Sequence, residues 1–132
     1  MILVAVVLFV LRQSPSPNPG TIKIGSVLPL SADFGFLGEE INRGALIAVD
    51  EAHKSGIDVE YIPEDDAFDA AKSASAANKL ISVDHVDAAF TALGEEAKPM
   101  APIFTQAKVP LLVSWDSNET LKGLSNYLFS IG

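Results

Sequence analysis

Residues 22–55 read IKIGSVLPLSADFGFLGEEINRGALIAVDEAHKS, and the change of period inside this stretch decides the fold. Ile22 to Leu28 is a β-rich run closed by Pro29. After a loop with Gly35 and Gly38, residues 39–55 place Ile41, Ala45, Ala48, Val49 and Ala52 on one helical face. Gly56 stands where a helix C-cap glycine belongs. A strand followed by an amphipathic helix and then another strand is the βαβ unit.

The same alternation continues down the chain. Val59–Ile62 predicts a second strand, ended by Pro63 and an acidic turn, and Ala70, Ala74, Ala77 and Ile81 mark a second helix over about 67–82. Residues 88–93 predict a third strand. Ala97, Met100, Ala101 and Phe104 predict a third helix that Pro99 and Pro102 force to start late or kink. Residues 111–115 and 127–131 predict a fourth and a fifth strand, and no internal repeat is visible. Strands and helices joined by short connections imply an α/β fold: an open, mainly parallel Rossmann-like sheet flanked by helices, with right-handed crossovers. Ligands of such sheets bind beyond the carboxyl ends of the strands. That edge holds the loops at residues 29–38, 63–66, 92–96 and 115–119.

Outside the sheet-forming region the chain changes character. Met1 to Leu11 reads MILVAVVLFVL, without one polar side chain beyond the methionine thioether. As a helix it would reach ~16 Å, about half of a ~30 Å hydrocarbon core. Residues 1–12 therefore read as a signal-like or anchor segment, and export is expected, to the periplasm or the extracellular space. A buried first strand is the alternative. Residues 13–20, QSPSPNPG, read as an extended Pro/Ser linker, and the folded unit is expected over 21–132.

Composition excludes several chemistries. The chain has 132 residues, 48% hydrophobic and 20% charged, enough for a real core. It has no cysteine, so disulfides, thiolate metal sites and cysteine nucleophiles are out. Its histidines, His53 and His85, lack partners at metal-ligand spacing. The net charge is −8, and Arg12 is the only charged side chain up to Gly20, so residues 21–132 carry all 17 acidic side chains. An acidic unit is not expected to bind nucleic acid.

The first loop, PLSADFGFLG, sets glycines and phenylalanines around Ser31. Neither G-x-x-x-x-G-K-[ST] nor G-x-G-x-x-G occurs, and Glu39 and Glu40 would repel a phosphate while complementing a helix dipole. Phe34 and Phe36 are either core residues or pocket walls. In the acidic turn, Asp66 followed by Asp69 resembles a helix-capping arrangement.

Three blocks carry a family resemblance: IKIGSVLPLSADFGFLGEEINRGALIAVDEAH, EDDAFDAAKSASAANKLI and VPLLVSWDSNETL, in that order and at fitting spacing. Together they resemble the substrate-binding proteins of ABC importers of the branched-chain amino acid (Leu/Ile/Val-binding) type, with a type I periplasmic-binding fold. The resemblance covers Ile22 to Gly132. It implies a clamshell of two α/β lobes with solute held between them, of which this chain supplies the N-terminal lobe, stopping at YLFSIG where the family's chain crosses to the second lobe. It also implies a membrane permease as partner of the full-length protein, no cofactor and no catalysis.

Carried over position by position, the resemblance implies a ligand-binding set of Ser31, Phe36, Leu37, Ala92, Gly94, Glu95, Trp115, Asp116 and Ser117. The family's small hydroxyl residues after the third strand are replaced here by Glu95 and Glu96, while Ser117 matches a hydroxyl position after the fourth. A ligand carboxylate set against Glu95, Glu96 and Asp116 would meet like charge in a desolvated cleft. An amino acid or related solute recognised through its amine fits better, with Trp115 offering a cation–π face worth ~0.5–2 kcal/mol. The alternative is that Glu95 and Glu96 face solvent at a helix start.

Two other functions fit the sequence less well. A ligand-sensing receptor ectodomain of the same fold would need a membrane span and a signalling module. An enzyme on a flavodoxin-like sheet is disfavoured, because no G-x-S-x-G nucleophile elbow occurs, and a receiver's acidic pair after the first strand and phosphoacceptor aspartate after the third would fall where Ser31-Ala32-Asp33 and Gly94-Glu95 stand.

Overall fold

A computed structural model describes residues 20–116 and 121–131. The signal-like segment, all of the linker but Gly20, and Ser117 lie outside the described residues. Five strands form one sheet: β1 (Ile22–Leu28), β2 (Val59–Asp65), β3 (Ala88–Thr91), β4 (Leu111–Val113) and β5 (Leu128–Ser130). Their order is β2-β1-β3-β4-β5 and every pairing is parallel. Between them run α1 (Gly35–Lys54), α2 (Ala70–Lys79, continued by one wide turn over Leu80–Asp84) and α3 (Gly94–Ala107). The open parallel sheet expected from the alternation is the sheet observed.

The core lies between the sheet and the α2/α3 pair. Val27, Ala89 and Leu111 from the strands meet Ala76, Ala77, Leu80, Met100 and Phe104 from the helices. Gly25 lets Leu80 pack close to β1, since a Cβ there would stand 2.8 Å from Leu80 Cδ1. A second cluster of Ala97, Val113 and Leu121 seals the β4 end. On the other face α1 lies over the sheet, and a cavity of about 200 Å³ between them is lined by Ile24, Val59, Tyr61 and Phe90 from the strands and by Ala45, Ala48, Val49 and Ala52 from α1. Four of the five residues that the period placed on one face of α1 thus turn toward the sheet, half-buried or exposed and not packed into a core. Tyr61 donates to Asn42 Oδ1 at 2.8 Å and receives the Ser26 hydroxyl at 2.8 Å, which ties α1 to the sheet. His53, in the last turn of α1, meets the Val59 carbonyl through Nε2 at 2.8 Å.

Three element boundaries differ from the sequence reading. Helix α1 begins at Gly35, four residues earlier than expected, because two glycines let its first turn pass the β1 loop closely. Helix α2 begins at Ala70, not 67. Ala67 and Phe68 hold positive φ angles of 50° and 59°, which a right-handed helix cannot include. Helix α3 starts at Gly94 and contains both Pro99 and Pro102; it does not start late. Each proline deletes one helical hydrogen bond, and a fixed first turn carries the helix through both.

Candidate solute-binding edge

The carboxyl ends of β1, β2, β3 and β4 open onto four loops that the fold draws together. Asp65 clamps the first two. Its Oδ1 accepts the amides of Leu30 (2.9 Å), Ser31 (3.2 Å) and Ala67 (2.9 Å). Burial pushes the Asp65 carboxyl up, but hydrogen bonds from the Ser31 side chain and from these amides outweigh it, and the net shift is downward. A folded-state pKa below the ordinary value means that the clamp stabilises the fold above the ordinary carboxylate range. That contribution disappears as pH falls through the lowered pKa. Because Asp65 is exposed and solvent screens the clamp, Asp65→Ala should cost about 0.5–1 kcal/mol at pH 7 and should flatten the acid limb of a urea-midpoint-versus-pH profile. A wild-type acid limb retained in the variant would contradict this role.

Asp66 and Asp69 serve α2, as the capping pattern in the sequence implied. Asp69 is the N-cap and accepts the Lys72 amide at 2.9 Å. Asp66 is fully buried; its Oδ1 accepts the Phe68 amide at 2.9 Å and its Oδ2 the Ser73 hydroxyl at 2.6 Å. Phe68 in turn faces Phe34 at a ring-centroid distance of 4.7 Å, joining the first and second loops from above.

The third and fourth loops also touch. The Trp115 amide donates to the Ala92 carbonyl at 2.8 Å and the Ser114 amide to the Thr91 carbonyl at 3.1 Å. Gly94 lies against the Asp116 carboxylate so closely that a Cβ would fall 1.8 Å from Asp116 Oδ2. Asp116 thus sits at the amino end of α3, where backbone N–H groups favour negative charge.

Glu95 and Glu96 part ways: Glu95 faces solvent at the helix start, and Glu96 turns into the protein. Glu95 is exposed and paired with Lys98 at 2.5 Å. Glu96 is only 2% exposed. Its Oε2 accepts the Thr91 hydroxyl at 2.8 Å and the Leu93 amide at 3.0 Å, which fixes the first turn of α3. Burial drives the Glu96 pKa up; the Leu93 and Thr91 donors pull it down, and nearby Asp66 pushes it up again, for a net rise. The sequence concealed this role, because Leu93 in the N-cap place lacks the Ser or Thr that signals a capping box.

Of the site residues expected from sequence, the structure brings Ala92, Gly94, Trp115 and Asp116 together, with Glu95 beside them on the first turn of α3. Ser31 belongs to the clamped first loop. Phe36 and Leu37 lie in the first turn of α1, Phe36 with 71% of its surface exposed and therefore not core. Trp115 is 62% exposed, so it is free to stack and is not a core aromatic. Phe68 and Glu96 join the edge without having been part of the expected set.

Residues 21–132 match the family model described as periplasmic binding protein. The Leu/Ile/Val-binding protein homolog 7 of Brucella abortus (strain 2308) is 36% identical over 91 residues, 67% of this chain and 23% of that protein. Among solved structures, the branched-chain amino acid transporter substrate-binding protein of Streptococcus pneumoniae, in complex with isoleucine, superposes with a TM-score of 0.77. It is 29% identical over 84% of this chain and 33% of its own. A solute-binding protein of an ABC transporter from Rhodopseudomonas palustris BisB5, in complex with 3,4-dihydroxy benzoic acid, gives a TM-score of 0.74 at 26% identity, over 83% of this chain and 32% of its own. The chain thus spans about a quarter of the curated relative and about a third of these structures. Their shared architecture is the type I periplasmic-binding fold anticipated above, and the two solved structures are a substrate-binding protein and a solute-binding protein of transporters. A match that runs from the first strand to the last residue makes this chain a member of the periplasmic binding protein family.

Proposed function

We propose that the chain contributes one face of the solute site in an ABC importer's binding protein, and that its ligand is an amino acid or related small polar solute held through an amine. The observation that carries this reading is the joining of four loops in two pairs at the carboxyl edge of one parallel sheet, the first pair through Asp65 and the Phe34–Phe68 rings, the second through the Trp115–Ala92 and Gly94–Asp116 contacts. Ligands of open α/β sheets bind at that edge. The side chains there are acidic and aromatic: Glu96 and Asp116 inward, Glu95 at the rim against Lys98, Trp115 exposed. Such a lining attracts an ammonium group and repels a carboxylate.

The ligand-binding set of Ser31, Phe36, Leu37, Ala92, Gly94, Glu95, Trp115, Asp116 and Ser117 is part of this proposal, with a membrane permease as the full-length protein's partner. Family membership implies an exported protein. The apolar run Met1–Leu11 supports delivery to the periplasm or cell surface by a cleaved signal or a retained anchor. Among the described residues no helix is long and apolar enough to cross a membrane.

Thermal unfolding of the chain with a panel of solutes tests the reading. A solute at a hundredfold excess over its Kd adds about 2.7 kcal/mol, so a bound amine should raise the midpoint by roughly 10–12 °C. Leucine and benzoate are expected to shift it less than cationic amino acids or simple amines. A larger shift with carboxylates than with amines would contradict the amine preference, and indifference to every solute would contradict solute binding itself.

A further inference from the structure

We propose that Phe68, backed by Phe34, is a specificity-determining residue of this edge: its ring walls the pocket between the start of α2 and the start of α3, and an amine-bearing solute lays a flat aromatic group against it. The inference rests on reading this edge as solute-binding and names the part of the solute other than its amine.

The backbone holds this ring out of the core. Ala67 and Phe68 have φ angles of 50° and 59°, a left-handed conformation that is uncommon for any residue but glycine and an outlier for a bulky one. Two carboxylates maintain it. Asp65 Oδ1 accepts the Ala67 amide at 2.9 Å and Asp66 Oδ1 the Phe68 amide at 2.9 Å. The Ser73 hydroxyl fixes Asp66 from its other oxygen at 2.6 Å. Strain of this kind persists only where the surroundings over-determine it, and it gathers at binding sites. Its result here is a ring left 37% exposed at the edge of the sheet. Because the ring is already fixed, little side-chain freedom is lost when a solute covers it.

The pocket that the ring lines measures about 240 Å³, and its other lining residues are Ala70, Ser73, Glu95 and Glu96. An apolar cavity of about 150 Å³ already takes up benzene, so a phenyl-sized group fits. The inner polar side chains are engaged elsewhere: the Ser73 hydroxyl with Asp66 Oδ2 and the Asp69 carbonyl, Glu96 Oε2 with Thr91 and Leu93. The other Glu96 oxygen is shielded from contact. What the pocket offers a solute is therefore the Phe68 ring and the Ala70 methyl, with the Glu95 carboxylate at its rim. Phe34, itself exposed, stands 4.7 Å from Phe68 at a tilt of 45°, inside the range of about 4.5–7 Å and the inclined geometry that aromatic rings prefer. A third ring, supplied by the solute, extends the same arrangement. The charge around the pocket sets what the ring carries. With Glu95 at the rim and Asp66 and Glu96 buried behind it, a ring bearing an ammonium is attracted and one bearing a carboxylate is repelled.

Calorimetric titration of the chain with phenethylammonium chloride tests this. The comparison cations are 2-cyclohexylethylammonium, of equal charge and similar apolar bulk but with no π face, and ethylammonium, which has no ring. Phenethylammonium should bind about three- to tenfold tighter than the cyclohexyl cation, the factor that an aromatic pair adds beyond its buried area. It should bind about tenfold or more tighter than ethylammonium, because the ring's apolar surface leaves water. Neither comparison needs a variant. Phe68→Leu keeps an apolar side chain and removes the ring, and should erase the preference for phenethyl over cyclohexylethyl. Phe129→Leu, which removes an exposed ring on β5, should retain it. Equal affinity for the phenethyl and cyclohexylethyl cations, a preference that survives Phe68→Leu or is lost in Phe129→Leu, or no phenethylammonium binding at all would overturn the aromatic wall. If ethylammonium or leucine nevertheless binds the chain, only the wall is lost; if no solute binds, the reading of the edge falls with it.

Discussion

Phe104→Ala is expected to lower the unfolding free energy by about 3–5 kcal/mol, a large part of the ~5–15 kcal/mol that holds a domain of this size together. Phe104 is the largest of the fully buried side chains and lies in the cluster where α2, α3, β1, β3 and β4 meet. Truncation removes the ring's burial and leaves a cavity that Met100, Leu80 and Leu111 cannot collapse into without leaving their own contacts. The urea midpoint should fall accordingly. Phe36→Ala provides the contrast: with 71% of its surface exposed, Phe36 should contribute within about 0.5 kcal/mol. A Phe104→Ala loss below about 1 kcal/mol would mean that the core does not lie between the sheet and α2/α3.

Gly38→Ala should destabilise by about 3 kcal/mol, against the usual gain of up to ~1 kcal/mol for replacing a helical glycine by alanine. A Cβ at position 38 would stand 2.2 Å from the Pro29 carbonyl oxygen and 2.6 Å from its carbon. Both are backbone atoms, so no rotamer change relieves the overlap; either the β1–α1 loop or the first turn of α1 must move. Gly44, in the same helix, has nothing within 4 Å of its would-be Cβ. Gly44→Ala should therefore stabilise, by about 0.5–1 kcal/mol. Opposite signs for two identical substitutions in one helix, read from thermal or urea unfolding, would establish that α1 starts as described. Since the displaced loop carries Ser31, Gly38→Ala should also weaken solute binding, whereas Gly44→Ala should not.

These cases show what was legible in the sequence. The strand–helix alternation was, because hydrophobic periods of 2 and 3.6 are written directly in residues 22–55 and repeated afterward. The side of α1 turned toward the sheet followed from the same period. The starts of the helices were not, because each depends on a contact between distant residues. Gly38 reads as a breaker until Pro29 is seen against it, and the capping role of Asp69 was visible while the positive φ of Ala67 and Phe68 that delays α2 was not. In α3, Pro99 and Pro102 suggested a late start, yet the Glu96 carboxylate holding Thr91 and Leu93 fixes the first turn ahead of them.

The candidate site was legible as a set of loops but not as a set of contacts. Topology alone sends residues 29–38, 92–96 and 115–116 to one edge of the sheet, and the family blocks pointed to the same places. The chemical character changed once the partners were known. The acidity expected from Glu95 and Glu96 together is concentrated in Glu96, because Glu95 is exposed and neutralised by Lys98. No local pattern distinguishes two adjacent glutamates; the helical register that turns one outward and the other into the core does.

The central claim is that the carboxyl edge of the sheet is the solute-binding face. Backbone amide chemical shifts of the isotopically labelled chain, followed during titration with ethylammonium and with leucine, test it most directly. The account predicts saturable shifts at Ser31, Phe68, Ala92 through Glu96 and Trp115, with β1 residues Ile22–Ile24 at the opposite edge unmoved. Saturable shifts confined to that opposite edge or to the outer surface of α1, or none anywhere, would contradict it.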